Sequence, residues 1–321
     1  MSTFQIVVAQ GTISDIAIET EHLSGKPAEV RLASLKTAED ITRETKDADA
    51  VVVTIEPLPR SFIDLLGPKV RIIGRAGIGL DSIDLGAARD RGIAVFHAPD
   101  YATEEVAIHT LALMLALNRK LLQGDHIART EWSSWAKLKP VRPLSELTVG
   151  IVGLGRIGRA VVERILPFTK KIVGFDPFAT EAPPNVRLAA TLDELLAETD
   201  VLSLHLPLGD ATRGLIGARE LNLLRPDAVL VNVARGGLLD QGALANALRS
   251  GRLAGAGLDV LAVEPPPSDD PILSAPNVLL SPHFAWQSEA SEKRVRTMTA
   301  DAILEYLEGR PVSAGRLAVA P

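Results

Sequence analysis

The chain has 321 residues, 46% of them hydrophobic and 23% charged, with no cysteine and a formal net charge of -6. That length exceeds the comfortable size of one hydrophobic core, so two domains of an ordinary soluble protein are expected. The acidic balance argues against nucleic-acid binding, and the missing cysteines exclude disulfides, a thiolate nucleophile and Cys-ligated metal.

The N-terminal "MSTFQIVVAQ" has neither a basic n-region nor a signal-type apolar core. No apolar stretch nears the roughly 20 residues of a membrane span, so a cytoplasmic location is expected. A first series of short strands follows: "FQIVVA", "AVVVTI" from Ala50, "VRIIG" from Val70 and "IAVFHA" from Ile93. "TEEVAIHTLALMLALNRKLL", Thr103 to Leu122, reads as one helix with Thr103 as N-cap, acidic residues in its first turn and basic ones near its end. "RTEWSSWAKLKP", Arg129 to Pro140, carries two tryptophans in a polar stretch and suits an arm that buries aromatics in a partner.

A second series comprises "TVGIVG", "KIVGF", "VLSLHL" from Val201, "AVLVNV" from Ala228, "GAGLDV" from Gly255 and "NVLLSP" from Asn277. The tract "EPPPSDDP", Glu264 to Pro271, is a stiff loop, and a closing helix runs from Ser288 to Gly309 with Pro311 beyond it. Near-continuous Val, Ile and Leu suit parallel strands buried on both faces, and strand–helix alternation implies right-handed βαβ units. Hinges at "HAPDY" and after Pro282 make the simplest division discontinuous: 1–98 with 288–321 as one α/β domain, and 99–287 inserted as the other. The cleft between two such domains is the default ligand site.

Gly153, Gly155 and Gly158 form G-x-G-x-x-G after a strand and at the start of the helix "RIGRAVVERIL". Gly153 permits the tight turn, Gly155 lets backbone approach a pyrophosphate, and Gly158 allows close helix–strand packing at a helix N-terminus that favours anions. Such a turn also occurs as a plain strand–helix junction. Asp176, ending the next strand about 20 residues on, supplies the carboxylate that accepts bonds from an adenosine ribose. It repels a 2′-phosphate, and "PFATEAPP" beyond it has no Arg or Lys, so NAD is expected over NADP. Asp176 on its own also reads as a solvated turn residue.

Three more stretches fall near predicted strand ends: "VNVARGGLLD" with Arg235, "GLDVLAVEPPP" with Asp259 and Glu264, and "LLSPHFAW" with His283. Each residue alone has an ordinary reading, as a surface charge, a loop carboxylate or a core histidine. Together, "GLGRIG", "HLPL", "NVARGGLLD", "GLDV…EPP" and "SPHFAW" resemble the D-isomer-specific 2-hydroxyacid dehydrogenases, in that family's order across nearly the whole chain. "APDYATEEVAIHTLALMLALNRKL" and Trp286 look most like its C-terminal binding protein branch and the related bacterial enzymes.

The resemblance implies two Rossmann-like domains with parallel sheets, the cofactor domain inserted into the substrate domain. It implies an NAD-dependent interconversion of a D-2-hydroxy acid and its 2-oxo acid. His283 is then the acid–base residue, Glu264 holds its ring, and Arg235 grips the substrate carboxylate and carbonyl with forked donors. Cofactor contacts fall to Gly153, Gly155, Arg156, Ile157, Gly158, Asp176, His205, Pro207, Thr212, Val233, Ala234 and Asp259, the last at the nicotinamide carboxamide. Substrate contacts fall to Arg75, to the backbone N–H groups of Ile78 and Gly79 in "RAGIGLDSIDL", and to Trp286 as an apolar wall. Arg75 also reads as a surface arginine, and Trp286 as interdomain packing.

Two positions depart from the family. Val106 stands where many relatives have a Thr that bonds cofactor phosphate, and Ile108 stands where an acidic residue is common. His22, His97, His109 and His126 read as structural or solvent-facing. No metal-ligand spacing occurs, so no metal is expected, and relatives imply a homodimer through the cofactor domain. The competing readings are a non-enzymatic NAD(H)-sensing, corepressor-like scaffold and a related dehydrogenase with another substrate such as phosphite.

Overall fold

The computed structural model describes residues 3–312 and 316–319. In chain order its strands are β1 (Phe4–Ala9), β2 (Ala28–Ala33), β3 (Ala50–Val53), β4 (Ile72–Arg75), β5 (Ala94–His97), β6 (Val149–Val152) and β7 (Ile172–Phe175). They continue as β8 (Val186–Leu188), β9 (Val201–Leu204), β10 (Val229–Asn232), β11 (Gly255–Leu258), β12 (Val278–Leu280) and β13 (Arg316–Val319). The helices are α1 (Ala17–His22), α2 (Ala38–Thr45), α3 (Arg60–Ile63), α4 (Leu85–Asp90), α5 (Thr103–Asn118) and α6 (Leu121–Thr130). After these come α7 (Arg156–Ile165), α8 (Leu192–Glu198), α9 (Ala218–Leu223), α10 (Gln241–Arg249) and α11 (Glu289–Leu307). The chain forms two compact units, Met1–Tyr101 with Ser288–Pro321, and Ala102–Gln287.

In the first unit the described strands form one sheet in the order β13-β5-β4-β3-β1-β2. All neighbours pair parallel except β13, which runs antiparallel to β5 and so departs from the parallel expectation. β3, "AVVV", is buried at every residue, as a parallel strand covered on both faces requires. Val7, Ile41, Val51, Ile63, Ile73 and Val95 lie at the centre of one core. α11 packs on β4 and β5 and against α1. The buried Arg296 of α11 grips Glu19 of α1 with Nε 2.8 Å from Oε1 and Nη2 2.5 Å from Oε2.

The second unit carries an all-parallel sheet in the order β12-β11-β10-β9-β6-β7-β8. From β6 the chain builds outward through β7 and β8, then crosses to β9 on the other side. The carboxyl ends of β6 and β9 therefore flank a topological switch point, where open α/β sheets bind ligands. β6, β9, β10 and β11 are buried at every residue.

The single helix expected over 103–122 is two. α5 buries Val106, Ala107, Thr110, Leu113, Met114 and Leu117 against α7, β10 and β11. Beyond Leu117 the sheet ends, Lys120 turns left-handed at φ 51°, and α6 leaves with Leu121 and Leu122 exposed. The N-cap of α5 is Ala102 rather than Thr103, which stands one position inside with no side-chain cap. Among the described residues no helix is long and apolar enough to cross a membrane.

Candidate active site

The glycine turn joins β6 to α7. Gly153 has φ 94°, and a side chain there would put Cβ 2.6 Å from the His205 carbonyl oxygen, at the switch point. At Gly158 a Cβ would lie 2.0 Å from the Gly153 carbonyl oxygen, so α7 approaches the turn at a distance only glycine allows. Around Gly155, by contrast, a Cβ would meet nothing within 4 Å. Gly155 is the N-cap of α7 and offers no side-chain cap to its first-turn N–H groups. Asp176 directly follows β7 and braces this turn: Leu154 N–H donates to Oδ2 at 2.9 Å and Phe178 N–H to Oδ1 at 2.9 Å. Each carboxylate oxygen has acceptor capacity beyond one bond. An open helix N-terminus with a carboxylate beside it fits the pyrophosphate and ribose of a dinucleotide.

His205 follows β9. Its Nε2 lies 2.9 Å from Ser203 Oγ, while its Nδ1 is buried without a partner among the described residues. Burial lowers its pKa to about 3, so the ring is neutral at ordinary pH and no general acid. Thr212 ties its own loop, donating to the Pro207 carbonyl at 2.7 Å and accepting from Gly209 N–H at 2.9 Å.

Arg235 stands just past β10, beyond Val233 and Ala234. The fully buried Asn232 steadies this end, its Nδ2 donating to the Arg235 carbonyl at 2.8 Å and its Oδ1 accepting from Ala234 N–H at 3.1 Å. Glu264, on the loop after β11, accepts from Leu261 N–H at Oε1 (2.8 Å), and its Oε2 lies 2.7 Å from His283 Nδ1. Burial raises the Glu264 pKa, but the bonds from His283 and Leu261 and the charge of Arg235 outweigh it and hold the carboxyl below its usual range. An ionised carboxylate only accepts, so Nδ1 carries the hydrogen and Nε2 is the nitrogen that faces proton exchange.

His283 itself adopts φ 54°, a left-handed backbone that costs a non-glycine residue about 1–3 kcal/mol. The surrounding bonds hold it there. His283 N–H donates to the Asp259 carbonyl at 2.7 Å. The Asp259 side chain, 1% exposed, accepts from Ser281 Oγ–H (2.5 Å) and Phe284 N–H (2.9 Å) at Oδ1 and from Ala285 N–H (2.9 Å) at Oδ2. Asp259 thus clasps the loop that carries His283, an occupation the sequence did not announce beside the cofactor contact expected of it. His109 of α5 joins the same cluster, with Nε2 2.9 Å from Ser281 Oγ. Of the structural and solvent-facing readings of His109, this half-buried contact fits the structural one, and its only sequence signal is the apolar helix around it. Trp286, half-buried, ends this segment.

The first unit holds Arg75 at the end of β4, its Nη1 donating to the Ala76 carbonyl at 2.8 Å. His97 Nδ1–H donates to the Ile78 carbonyl at 3.1 Å and Ala98 N–H to the Gly77 carbonyl at 2.9 Å, so β5 shapes the Gly77–Gly79 loop. Arg235, Asp259, Glu264 and His283 are brought together within the second unit; Arg75, Ile78 and Gly79 belong to the first. Val106 is buried in α5 and Ile108 is exposed. Among the described residues no three His, Asp or Glu side chains are grouped to hold a metal ion.

Residues 111–285 match the family described as "D-isomer specific 2-hydroxyacid dehydrogenase, NAD binding domain". The chain is 38% identical over 285 residues to a D-3-phosphoglycerate dehydrogenase of Methanocaldococcus jannaschii, covering 88% of this chain but 54% of that one. It thus spans little more than half the length of such relatives. It is 37% identical to a glyoxylate reductase of Aeropyrum pernix, covering 85% of this chain and 84% of that one. Among solved structures, a D-lactate dehydrogenase from Aquifex aeolicus complexed with NAD and lactic acid superposes with a TM-score of 0.87 at 27% identity, covering 98% and 99% of the two chains. These relatives support the family, while the likeness to the C-terminal binding protein branch remains a reading of the motifs. The chain belongs to the D-isomer specific 2-hydroxyacid dehydrogenase family, and its second unit carries that family's NAD-binding domain.

Proposed function

We propose that this chain is an NAD-dependent oxidoreductase interconverting a D-2-hydroxy acid and its 2-oxo acid. The observation that carries the proposal is the His283 Nδ1 to Glu264 Oε2 contact of 2.7 Å beside Arg235. It prepares a ring whose Nε2 can exchange a proton with a substrate oxygen. Gly155, Arg156, Ile157 and Gly158 hold the cofactor pyrophosphate in this reading, Asp176 the ribose, and Pro207, Thr212, Val233 and Ala234 the remaining edge. Bound NADH supplies the hydride. As negative charge gathers on the 2-oxo oxygen, His283 Nε2–H gives its proton, and Glu264 stabilises the ring while it is charged. In the reverse direction the neutral ring takes the hydroxyl proton.

Arg235 aligns the substrate carboxylate and carbonyl with its planar fork, which fixes orientation as well as charge. Arg75 and the N–H groups of Ile78 and Gly79 add donors to the carboxylate, and Trp286 supplies apolar contact. The chain acts as a cytoplasmic homodimer in this reading. Trp132 and Trp135, 81% and 61% exposed, are aromatic area that a partner copy would cover. NADH oxidation with glyoxylate, hydroxypyruvate, phenylpyruvate and 4-methylthio-2-oxobutyrate tests the activity. Turnover of at least one acid is expected. NADH binding with no turnover across the panel would favour the scaffold reading.

A further inference from the structure

The His283 loop is anchored from a second direction. His109 projects from α5, the helix packed on α7, β10 and β11, and its Nε2 reaches Ser281 Oγ at 2.9 Å. Ser281 Oγ in turn lies 2.5 Å from Asp259 Oδ1. Ser281 donates its single hydroxyl hydrogen to Asp259, so its oxygen accepts from His109. That fixes His109 with hydrogen on Nε2. The His109 ring also meets Phe284 edge-on, centroids 6.2 Å apart at 77°. His109 therefore touches the residues two before and one after His283, and the carboxylate it reaches through Ser281 binds the N–H groups of Phe284 and Ala285.

We propose that His109 is a positioning residue for His283, acting through Ser281 and Asp259; this rests on the acid–base role given to His283 above. A left-handed residue on a short loop relaxes when its supports weaken. The clasp bonds set where Nε2 points, and small misplacements of a proton donor are costly in rate. Because α5 is packed against the sheet, the His109 bond ties the loop to a rigid element.

The variants are His109→Ala, His109→Gln, Ser281→Ala and the His109→Ala/Ser281→Ala pair. Gln places an amide N–H near the lost ring nitrogen. Three quantities are read: kcat and KM for the best 2-oxo acid, the NADH Kd by fluorescence, and amide hydrogen exchange at Phe284 and Ala285. His109→Ala should lower kcat about tenfold with KM and NADH Kd within about twofold, and should speed exchange at both amides. His109→Gln should recover most of the loss, and the double variant should fall little below Ser281→Ala, since both act on one chain of bonds. An unchanged kcat, losses that add fully in the double variant, or a Gln variant no better than Ala would overturn the proposal. Should His109→Ala not fold, His109→Gln and Ser281→Ala carry the same comparison. If the wild type turns over no 2-oxo acid, the activity reading falls alone, and exchange still decides this one: faster exchange supports the tether, unchanged exchange removes it.

Discussion

Replacing Glu264 by Gln keeps the side chain's size and removes the charge facing His283. The two groups are 2.7 Å apart, and each side chain is 37% exposed. At about 4 Å and an effective dielectric near 20, two unit charges attract by about 4 kcal/mol, whereas exposed pairs retain about 0.2–1 kcal/mol. A half-exposed pair with one short bond belongs near the top of that lower range, about 1 kcal/mol. At about 1.36 kcal/mol per tenfold in rate, losing that attraction should slow reduction about fivefold.

The sign follows from which form the carboxylate favours. Glu264 is held below the usual carboxylate range, because the bonds from His283 and Leu261 and the charge of Arg235 outweigh the upward push of burial. It is therefore charged at ordinary pH, and its stabilising contribution is lost only as pH falls through its own lowered pKa. Reduction by the wild type should therefore fall at the acid end, where Glu264 takes up a proton and its support of the ring is lost. Glu264→Gln carries no charge at any pH, so it should be about fivefold slower and lack that acid-side fall. Profiles of kcat/KM in both directions, for wild type and Glu264→Gln, give the answer. A Glu264→Gln profile that matches the wild type in height and in its acid-side fall would refute the pairing.

Asp176→Ala removes the acceptor that braces Leu154 and Phe178 N–H and should weaken NADH binding about tenfold while narrowing discrimination against NADPH. Titrations with both cofactors check it, and an unchanged preference would leave Asp176 as a turn residue. Gly158→Ala puts a methyl carbon 2.0 Å from a backbone oxygen, so a loss of about 1–3 kcal/mol in unfolding free energy and weaker NADH binding are expected. A variant with wild-type melting and wild-type NADH affinity would contradict that packing. Trp286→Ala should raise KM for phenylpyruvate more than for glyoxylate; equal effects on the two acids would make it a packing residue.

Much of this arrangement is legible in the sequence because it depends on local chemistry. The strands rich in Val and Ile are those buried on both faces, and the glycine turn has no other residue type that fits Gly153 or Gly158. β2 escaped because "AEVRLA" is a half-exposed edge strand without a continuous apolar run. The antiparallel β13 pairs with β5 across most of the chain's length, where no local pattern signals it. The break at Lys120 lacks a glycine or proline to mark it, since it comes from the end of the sheet beneath α5 rather than from a breaker. Arg235, Glu264 and His283 could be named from their motifs. What holds His283 could not, because His109 and Asp259 meet Ser281 across 172 and 22 residues of sequence.

In the proposed reaction His283 exchanges a proton with the substrate while the glycine turn independently holds the cofactor. Its most direct test is His283→Ala beside the wild type, reading NADH affinity by fluorescence and single-turnover NADH oxidation with the best 2-oxo acid. An NADH Kd within about threefold of wild type and a rate reduced at least about a hundredfold are expected, in line with the loss of a general acid. A variant that binds NADH normally and still reduces the acid at close to the wild-type rate would contradict it.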